Sequence, residues 1–318
     1  MKVTLIEDLA DLRYLTGLHL SKGTWVEGKS PTLLVDGRYY GVCREKLTCA
    51  VELESAEALR KAVGDAEVAF DSAISYRRFL QLQQWLPGKS LTPVNGPLWQ
   101  RRARKSAAEI ASLRKAAKLT YAGIEHVISR LREGVTEKEL AWEFEQFVRT
   151  RGASGLSFDS IVAFGEQSAY PHHRASDRKL KRGDCALIDV GAVVEDYHGD
   201  MTRVAFFGES PLQSWYEKIQ AVTAEVIALV KPGVKVGLLD KVARDQLGEL
   251  FIHNLGHGVG LETHEFPRLR GSGEDRDVLL EEGMVITVEP GLYQVGLGGV
   301  RFEQMVHVTK TGAEILHE

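Results

Sequence analysis

The sequence predicts an α+β protein of two domains, in which a small α/β domain is followed by a larger domain of two similar halves. Two observations predict this class. The chain of 318 residues exceeds one ordinary domain and suits two. Its later part also contains two stretches with the same spacing of apolar residues and glycine, and such internal periodicity is a fold-level signal. We place the domains at residues 1–103 and 104–318.

The first domain alternates short apolar runs with helical segments. "PTLLVDGRYY" predicts a strand that ends in a turn at Asp36-Gly37, and "EVAFD" at 67–71 predicts another strand. "SYRRFLQLQQWL" at 75–86 has the spacing of a helix, which Pro87-Gly88 ends. These elements indicate an α/β domain of about 100 residues.

The domain junction is predicted at "NGPLWQRRARKS", residues 95–106, where turn residues meet a basic cluster. A run of charge like this one is typical of a solvated face. Ser106 and Glu109 then form the pattern of a capping box, which predicts a helix to about residue 132. Thr136 and Glu139 predict a second helix, ending near Gly152.

The second domain repeats itself weakly. "LREGVTEKEL" at 131–140 and "VKPGVKVGLL" at 230–239 share their pattern, and Gly134 lies 99 residues before Gly233. A helix, a glycine-rich stretch, histidines and two strand-like segments follow each copy. Two similar halves that face each other would bring their equivalent residues together at a pseudo-twofold axis.

Composition narrows the class of function. A formal net charge of −4 argues against nucleic acid or an anionic membrane as the main partner. Three cysteines without a CxxC motif form neither a disulfide framework nor a zinc ribbon. Acidic residues at positions 7, 8 and 11 occupy the place of a signal-peptide core, and the sequence has no apolar run of transmembrane length. We therefore expect a cytoplasmic protein.

Four acidic residues interrupt apolar strand patterns in the second domain. Asp189 and Asp200 lie eleven residues apart in "LIDVGAVVEDYHGDMTRVAF", where "VVEDY" is polar enough for a hairpin connection. Glu289 ends a strand in "MVITVEPG", and Glu303 lies in "GGVRFEQMVHV". Carboxylates are disfavoured in strands and need a partner when buried. Four of them in strand contexts of one domain therefore indicate a common binding partner.

His257 completes the set, within the Gly-His-Gly-x-Gly segment of "LGHGVGLETHE". One imidazole and four carboxylates suit two divalent cations, which bridging carboxylates can hold. The oxygen-rich donor set favours Mn²⁺, with Co²⁺, Fe²⁺ or Zn²⁺ as alternatives. Such a site indicates metal-assisted hydrolysis.

Together these motifs resemble the dinuclear metallopeptidases of the pita-bread fold, which include methionine aminopeptidase, aminopeptidase P and prolidase. The resemblance rests on the two aspartates, "GHGVGLETHE", "VEPG" and "GGVRFE". In the first domain, "DLRYLTGL" and "LLVDGRYY" resemble the creatinase-type N-terminal domain that aminopeptidase P and prolidase carry. The resemblance thus covers nearly the whole chain. It implies that the second domain is a pita-bread catalytic domain with pseudo-twofold halves.

The resemblance implies five metal ligands, which are Asp189, Asp200, His257, Glu289 and Glu303. Asp200 and Glu303 correspond to the bridging pair, and Asp189 corresponds to a chelating ligand. Glu289 also matches the family's general acid/base, and a metal-bound carboxylate beside the attacking water is a reasonable proton shuttle.

The resemblance further implies substrate-binding histidines. His172 in "PHHRAS" matches a Pro-His-Gly histidine, but His173 replaces the glycine, so either imidazole could be the functional one. His264 matches the histidine that stabilises the reaction intermediate. Arg268 resembles an arginine that binds the C-terminal carboxylate of a dipeptide in some prolidases, and an exposed loop arginine is the alternative.

Four further residues would support this site. Arg301 lies two positions before Glu303, while Tyr197 and Thr202 flank Asp200. His253 could line the pocket, although no spacing requires it.

We expect hydrolysis of the peptide bond that precedes proline, most simply by an Xaa-Pro dipeptidase (prolidase). Aminopeptidase P, which acts on longer peptides, is the close alternative. A non-catalytic binding protein and a metal-free creatinase on the same scaffold are more remote, because all five ligand positions hold Asp, Glu or His. The substrate would be a proline-containing di- or oligopeptide, and the family suggests a homodimer.

Overall fold

The computed structural model describes residues 2–318 and forms two compact units. One unit ends at Gln100, and the other runs from Arg101 to Glu318. Among residues 2–318, the helices lack the combination of length and hydrophobicity that is required to cross a lipid bilayer.

The first unit contains a six-stranded mixed sheet with helices between its strands. The strands are β1 (Lys2–Ile6), β2 (Thr24–Glu27), β3 (Thr32–Val35), β4 (Ala50–Leu53), β5 (Glu67–Asp71) and β6 (Leu91–Val94). The helices are α1 (Leu9–Thr16), α2 (Gly37–Lys46), α3 (Ala56–Val63) and α4 (Tyr76–Trp85), and a short α5 (Trp99–Ala103) crosses the limit between the units. The strand order is β4-β3-β2-β1-β5-β6, so the predicted α/β class is confirmed for this part of the chain.

The predicted turn at Asp36-Gly37 is wrong. Asp36 is instead the N-cap of α2, and its carboxylate accepts a hydrogen bond from the backbone N–H of Arg38. An aspartate before glycine is typical of both tight turns and helix N-caps, because its short side chain can accept a hydrogen bond from a nearby backbone N–H in either structure. The predicted strand at 67–71 and the helix within 75–86 are both present.

The second unit begins with two long helices and continues with two sets of strands. Its helices are α6 (Ala107–Ser129), α7 (Glu137–Arg149), α8 (Gln213–Leu229) and α9 (Val236–Leu247). The first set of strands is β7 (Gly155–Leu156), β8 (Ile161–Phe164), β9 (Cys185–Val190), β10 (Ala192–Val194), β11 (Tyr197–His198) and β12 (Met201–Phe206). The second set is β13 (Gly256–Gly258), β14 (Glu265–Leu269), β15 (Val285–Val288), β16 (Gly291–Gln294), β17 (Gly298–Arg301), β18 (Gln304–Val308) and β19 (Ala313–Ile315).

Both predicted capping boxes are present. The Ser106 hydroxyl accepts from the backbone N–H of Glu109, whose carboxylate accepts from the N–H of Ser106, and Thr136 and Glu139 do the same at the start of α7. Each box satisfies two helix N–H groups that otherwise lack partners. The two helices therefore begin where the local sequence predicts.

The repeat predicted from glycine spacing is visible in the backbone hydrogen bonds. In the first half, Gly134 N–H donates to Leu180 O at 2.9 Å, and in the second half Gly233 N–H donates to Leu280 O at 2.8 Å. The return bonds, from residue 180 to 135 and from 280 to 234, are also equivalent. The second unit thus contains two similar halves, as the sequence predicts.

The helices of the second unit pack on its strands in two main core clusters. One core cluster joins α6 and α7 to the first strands and includes Phe144, Phe164 and Ile188. Another joins α8 and α9 to the second strands and includes Val226 and Ile286. The sheets β12-β9-β8 and β14-β13-β15-β18-β19 therefore form a rigid frame for the side chains at their ends.

The prediction of a solvated basic segment at 95–106 is wrong for two residues. Arg102 and Lys105 are buried, with 4% and 7% of their surface exposed. Arg102 Nη2 lies 2.5 Å from Glu265 Oε1, and Lys105 Nζ lies 3.1 Å from Glu265 Oε2. Glu265 lies 160 residues after Lys105 in the chain, so the local sequence around residues 95–106 could not predict this buried ion pair.

Candidate metal and substrate site

A cavity of about 810 Å³ opens at the strand ends of the second unit. Nine residues that the sequence predicts as site residues all line it; they are His172, His173, Asp189, Asp200, His257, His264, Arg268, Glu289 and Glu303. His253 and Arg301 line it too. The fold therefore brings these residues to one place from both halves of the unit.

The first half contributes two buried aspartates. Asp189 lies in β9 directly opposite Thr202 of β12, and Asp200 immediately precedes β12. The hairpin β10–β11 connects the two strands, as "VVEDY" predicts, and it turns at Glu195 and Asp196, both at positive φ. This short connection brings both carboxylates to the cavity.

The second half contributes two glutamates in an equivalent way. Glu289 follows β15, and Glu303 lies between β17 and β18. Val288 of β15 pairs with Gln304 of β18, so the neighbouring glutamates leave the sheet at the same end. Glu303 Oε2 also accepts a hydrogen bond from Thr202 Oγ1 at 2.8 Å, which links it to the first half.

His257 points its Nε2 atom at the carboxylates. Its Nδ1 lies 3.0 Å from the carbonyl oxygen of Gly258, which can only accept, so Nδ1 carries a proton. Nε2 would lose its own proton on metal binding and offer its lone pair to the ion. Nε2 lies 3.3 Å from Glu289 Oε1 and 3.6 Å from Asp200 Oδ2. The glycine at 256 is required because a Cβ atom there would lie 2.1 Å from the carbonyl oxygen of Thr287.

This donor set fits a divalent metal ion. Ligand atoms of Asp200, His257 and Glu303 lie within 4.8 Å of one another, and all three residues are buried. Asp189 adds a buried Oδ1 atom that forms no hydrogen bond with the described residues. A buried oxygen without a donor is costly unless a cation supplies the missing contact.

Without metal, the protonation of the carboxylates in the cavity depends on their burial and on their mutual repulsion. Burial and then the neighbouring carboxylates raise the pKa of Asp200 and of Glu303 well above the usual values. Burial also works against ionisation of Glu289, but its hydrogen bond to His257 and the charges of His257, His253 and Arg301 together outweigh this and lower the pKa of Glu289 to about 2. Bound cations would remove the repulsion, and their binding requires the deprotonated forms.

Arg301 connects three residues behind the cluster. Its guanidinium donates to Asp189 Oδ2 at 2.5 Å, to Thr202 Oγ1 at 3.0 Å and to the Tyr293 hydroxyl at 2.7 Å. The buried cation orients Asp189 and leaves its Oδ1 atom for another partner. Arg301 and Thr202 therefore contact the predicted ligands as the sequence suggests.

Sequence reasoning missed Tyr293 and gave no firm place to His253. His253 Nδ1 donates to the carbonyl of Asn254 at 2.7 Å, so its Nε2 accepts from the Tyr293 hydroxyl at 2.9 Å. A buried chain of hydrogen bonds thus runs from Arg301 through Tyr293 to His253. Tyr197, by contrast, bonds to Glu109 at 3.0 Å and does not line the cavity.

His264 and Arg268 lie next to His257. The rings of His257 and His264 are 4.3 Å apart between centroids, and Arg268 of β14 pairs with His257 of β13. Burial, and then the charge of His257, lower the pKa of His264, which favours the neutral imidazole near pH 7. A neutral imidazole and a guanidinium therefore face the cavity beside the candidate metal ligands.

His172 and His173 differ in their exposure and in their contacts. His172 is exposed in the cavity wall. His173 Nε2 lies 2.8 Å from Glu137 Oε2, and Glu137 is completely buried. The sequence gave no reason to expect Glu137 at the site, because it has the pattern of an ordinary first-turn residue of α7.

The fold and the cluster define a class of protein, namely hydrolases with a buried carboxylate and histidine metal site between two repeated halves. Residues 111–310 match Metallopeptidase family M24, and the chain belongs to this family. Residues 1–104 match the Creatinase/Prolidase N-terminal domain. The resemblance predicted from the sequence is confirmed, and the chain is a peptidase that uses divalent metal.

Individual relatives agree with the family. The chain is 34% identical to an Xaa-Pro dipeptidase of Pyrococcus horikoshii, over 98% of this chain and 91% of that one. A prolidase structure from Pyrococcus horikoshii superposes with a TM-score of 0.93 at 32% identity, covering 100% of this chain and 94% of that one. An X-Pro aminopeptidase structure from Thermotoga maritima gives 0.88 at 31% identity, covering 100% and 96%.

Proposed function

We propose that this chain is an Xaa-Pro dipeptidase, a prolidase that hydrolyses the peptide bond preceding proline in a dipeptide. The observation that carries the proposal is Arg268, a cation directly across the strands from His257 in the same cavity. A guanidinium beside the reacting groups suits the C-terminal carboxylate that lies close to the scissile bond only in a dipeptide. The similarity to the Pyrococcus horikoshii Xaa-Pro dipeptidase supports it.

We assign the metal site to Asp189, Asp200, His257, Glu289 and Glu303, which would hold two divalent ions. The oxygen-rich donor set favours Mn²⁺ over Co²⁺, Fe²⁺ or Zn²⁺. When bound, the ions supply Lewis-acid activation of water and of the peptide carbonyl.

The side chains of this chain then bind the substrate and move the proton. Glu289, whose carboxylate lines the cavity, would take a proton from the attacking water and deliver it to the departing proline nitrogen. Neutral His264 donates a hydrogen bond to the carbonyl oxygen as negative charge develops there. His172, exposed in the cavity wall, contacts the substrate backbone.

The close alternative is an aminopeptidase P that acts on longer Xaa-Pro peptides, and the likeness to the Thermotoga maritima X-Pro aminopeptidase favours it. The two functions differ in the group that the proline carbonyl carries. A dipeptidase requires a free carboxylate at this position, whereas an aminopeptidase accepts a further residue. The two functions can be distinguished by replacing Arg268 and measuring activity on a dipeptide and on a longer peptide.

The test compares Arg268→Met with wild type on Ala-Pro and on Ala-Pro-Ala. We expect Arg268→Met to lose about 100-fold in kcat/KM on the dipeptide, equal to a charge-assisted contact of roughly 3 kcal/mol, with little change on the tripeptide. Arg174→Met is the matched control, because Arg174 is a second arginine of the same cavity. Equal losses on both substrates would contradict the carboxylate role of Arg268.

Remaining features stay predictions. A protein that binds metal and cleaves neither substrate would be the non-catalytic alternative, and cleavage without metal would favour a creatinase-type reaction. The homodimer, the cytoplasmic location and the domain limits at 1–103 and 104–318 await sedimentation, fractionation and limited proteolysis.

A further inference from the structure

The segment that carries His172 is attached to the fold by a buried carboxylate. A turn at Tyr170–His173 is closed by a hydrogen bond from His173 N–H to Tyr170 O at 3.0 Å, and His172 lies inside this turn. Pro171 before it restricts the backbone. The direction of the His172 imidazole therefore depends on the contacts that hold the two ends of the turn.

Glu137 holds the C-terminal end of this turn. Its Oε2 accepts from the backbone N–H of Ser176 at 2.9 Å and from the Ser176 hydroxyl at 2.6 Å. Its Oε1 accepts from the backbone N–H of Phe164 at 2.8 Å, at the end of β8. One buried carboxylate thus ties the segment to both α7 and a core strand, and these donors satisfy its charge.

His173 provides a further donor. Its Nε2 lies 2.8 Å from Glu137 Oε2, and only 12% of its side chain is exposed. An ionised carboxylate can only accept, so Nε2 carries the proton and the contact is a charge-assisted hydrogen bond. Although His173 lines the cavity, its Nε2 is therefore engaged by Glu137, while its neighbour His172 is exposed in the cavity wall.

We propose that Glu137 and His173 form a positioning pair that fixes the direction of His172 toward the substrate. His173 is a positioning residue and does not itself touch the substrate. The proposal rests on the proposed function, because His172 binds substrate there. It also gives a reason for histidine at a position where the resembled families have glycine, since glycine has no side chain to donate and leaves the turn freer.

The first test replaces His173 with alanine and with glutamine. Alanine removes the donor, and we expect kcat/KM on Ala-Pro to fall about 30-fold, because misplacement of about 1 Å near the reacting atoms has effects of this order. Glutamine offers an amide N–H and should recover activity to within about 3-fold of wild type. Equal activity of wild type and His173→Ala would overturn the proposal.

A double-mutant cycle decides whether His173 acts through His172. Effects of independent residues multiply, so His172→Ala and His173→Ala together would lose the product of the two single losses. If His173 only directs His172, the double variant should be as active as His172→Ala alone. Multiplied losses would mean that His173 contacts substrate or acts separately, and would contradict the positioning role.

Hydrogen–deuterium exchange measures the attachment without activity. We expect His173→Ala to accelerate exchange in a peptide covering residues 170–176 and to leave α7 unchanged. Glu143→Gln is the matched control, because Glu143 forms a second carboxylate–imidazole contact on α7, with His126 at 3.0 Å, away from the cavity. Its exchange at 170–176 and its activity should equal those of wild type.

The two proposals fail in different ways. If wild type cleaves no Xaa-Pro peptide but His173→Ala accelerates exchange at 170–176, the proposed function is wrong and the attachment by Glu137 and His173 stands. If wild type is active and exchange at 170–176 is the same in wild type and His173→Ala, the positioning pair is wrong and the proposed function stands.

Discussion

Each half of the catalytic unit has a buried glutamate near a cavity histidine, and the two glutamates have different partners. In the first half, Glu137 accepts from backbone N–H groups, a hydroxyl and His173. In the second half, Glu265 follows His264 in the chain and lies between Arg102 and Lys105. Both carboxylates are buried, but one is satisfied mainly by dipoles and the other by two cations.

This difference in partners assigns the two glutamates different roles, because Glu137 fixes the position of a segment at the cavity and Glu265 contributes to the stability of the fold. The N–H and O–H donors around Glu137 come from separate chain segments, so this one carboxylate holds those segments in fixed positions relative to one another. Two cations around Glu265 instead connect β14 to the start of the unit. Loss of the carboxylate would remove the partner that both buried cations share and leave Arg102 with the exposed Glu262. We therefore expect changes at Glu137 and His173 to alter turnover first, and changes at Glu265 to alter stability first.

The largest expected effect tests whether both halves contribute equally to the metal site. Asp200→Ala in the first half and Glu303→Ala in the second should each lower kcat by about 10³-fold or more, because each removes a proposed metal ligand. Metal content per chain should fall in both. Thr202→Val, which removes the donor to Glu303 and an acceptor of Arg301, should cost about 10–100-fold in metal affinity.

An Asp200→Ala enzyme with near-normal turnover and full metal content would contradict this site. A loss confined to one half would mean that the halves are repeated in fold but not in function.

A smaller effect concerns the ion pairs of the second half. Burial opposes the ionisation of Glu265, but Lys105 and Arg102 outweigh it and lower its pKa. A lowered pKa stabilises the fold above the unfolded value of about 4.3, and this contribution is lost as pH falls through the folded value. Glu265→Gln should lower the free energy of unfolding at pH 7 by about 3–5 kcal/mol, as breaking a buried pair does.

Urea unfolding at several pH values measures that difference. The gap between wild type and Glu265→Gln should be full at pH 7 and should narrow below about pH 4. Glu281→Gln is the control, because its contact with Arg104 is exposed and should change stability by less than about 1 kcal/mol. A gap that is the same at every pH would show that the charge of Glu265 is not the source of the stabilisation.

Local features of this fold could be predicted from the sequence. The capping boxes at Ser106 and Thr136 involve residues three positions apart, so the chain itself contains the whole interaction. The acids at 189, 200, 289 and 303 were visible because each interrupts an apolar strand. The equivalence of the halves could be inferred from glycines whose spacing the backbone bonds repeat.

Features that depend on distant partners could not be predicted. Arg102 and Lys105 resemble a solvated charge run until Glu265, far along the chain, is placed between them. Tyr293 and Glu137 lie in unremarkable local contexts, and only the folded chain brings them to Arg301 and His173. Side chains that support a site are set by tertiary contacts, which local spacing does not encode.

The most direct test of the account is the activity of wild type after removal of metal and reloading with Mn²⁺. The enzyme is stripped with a chelator, and hydrolysis of Ala-Pro and Ala-Pro-Ala is monitored against the number of Mn²⁺ ions bound per chain. We predict no hydrolysis without metal, and preferential hydrolysis of Ala-Pro that rises to its maximum at two ions per chain. Hydrolysis by the stripped enzyme, or no hydrolysis of either peptide with both ions bound, would contradict the account.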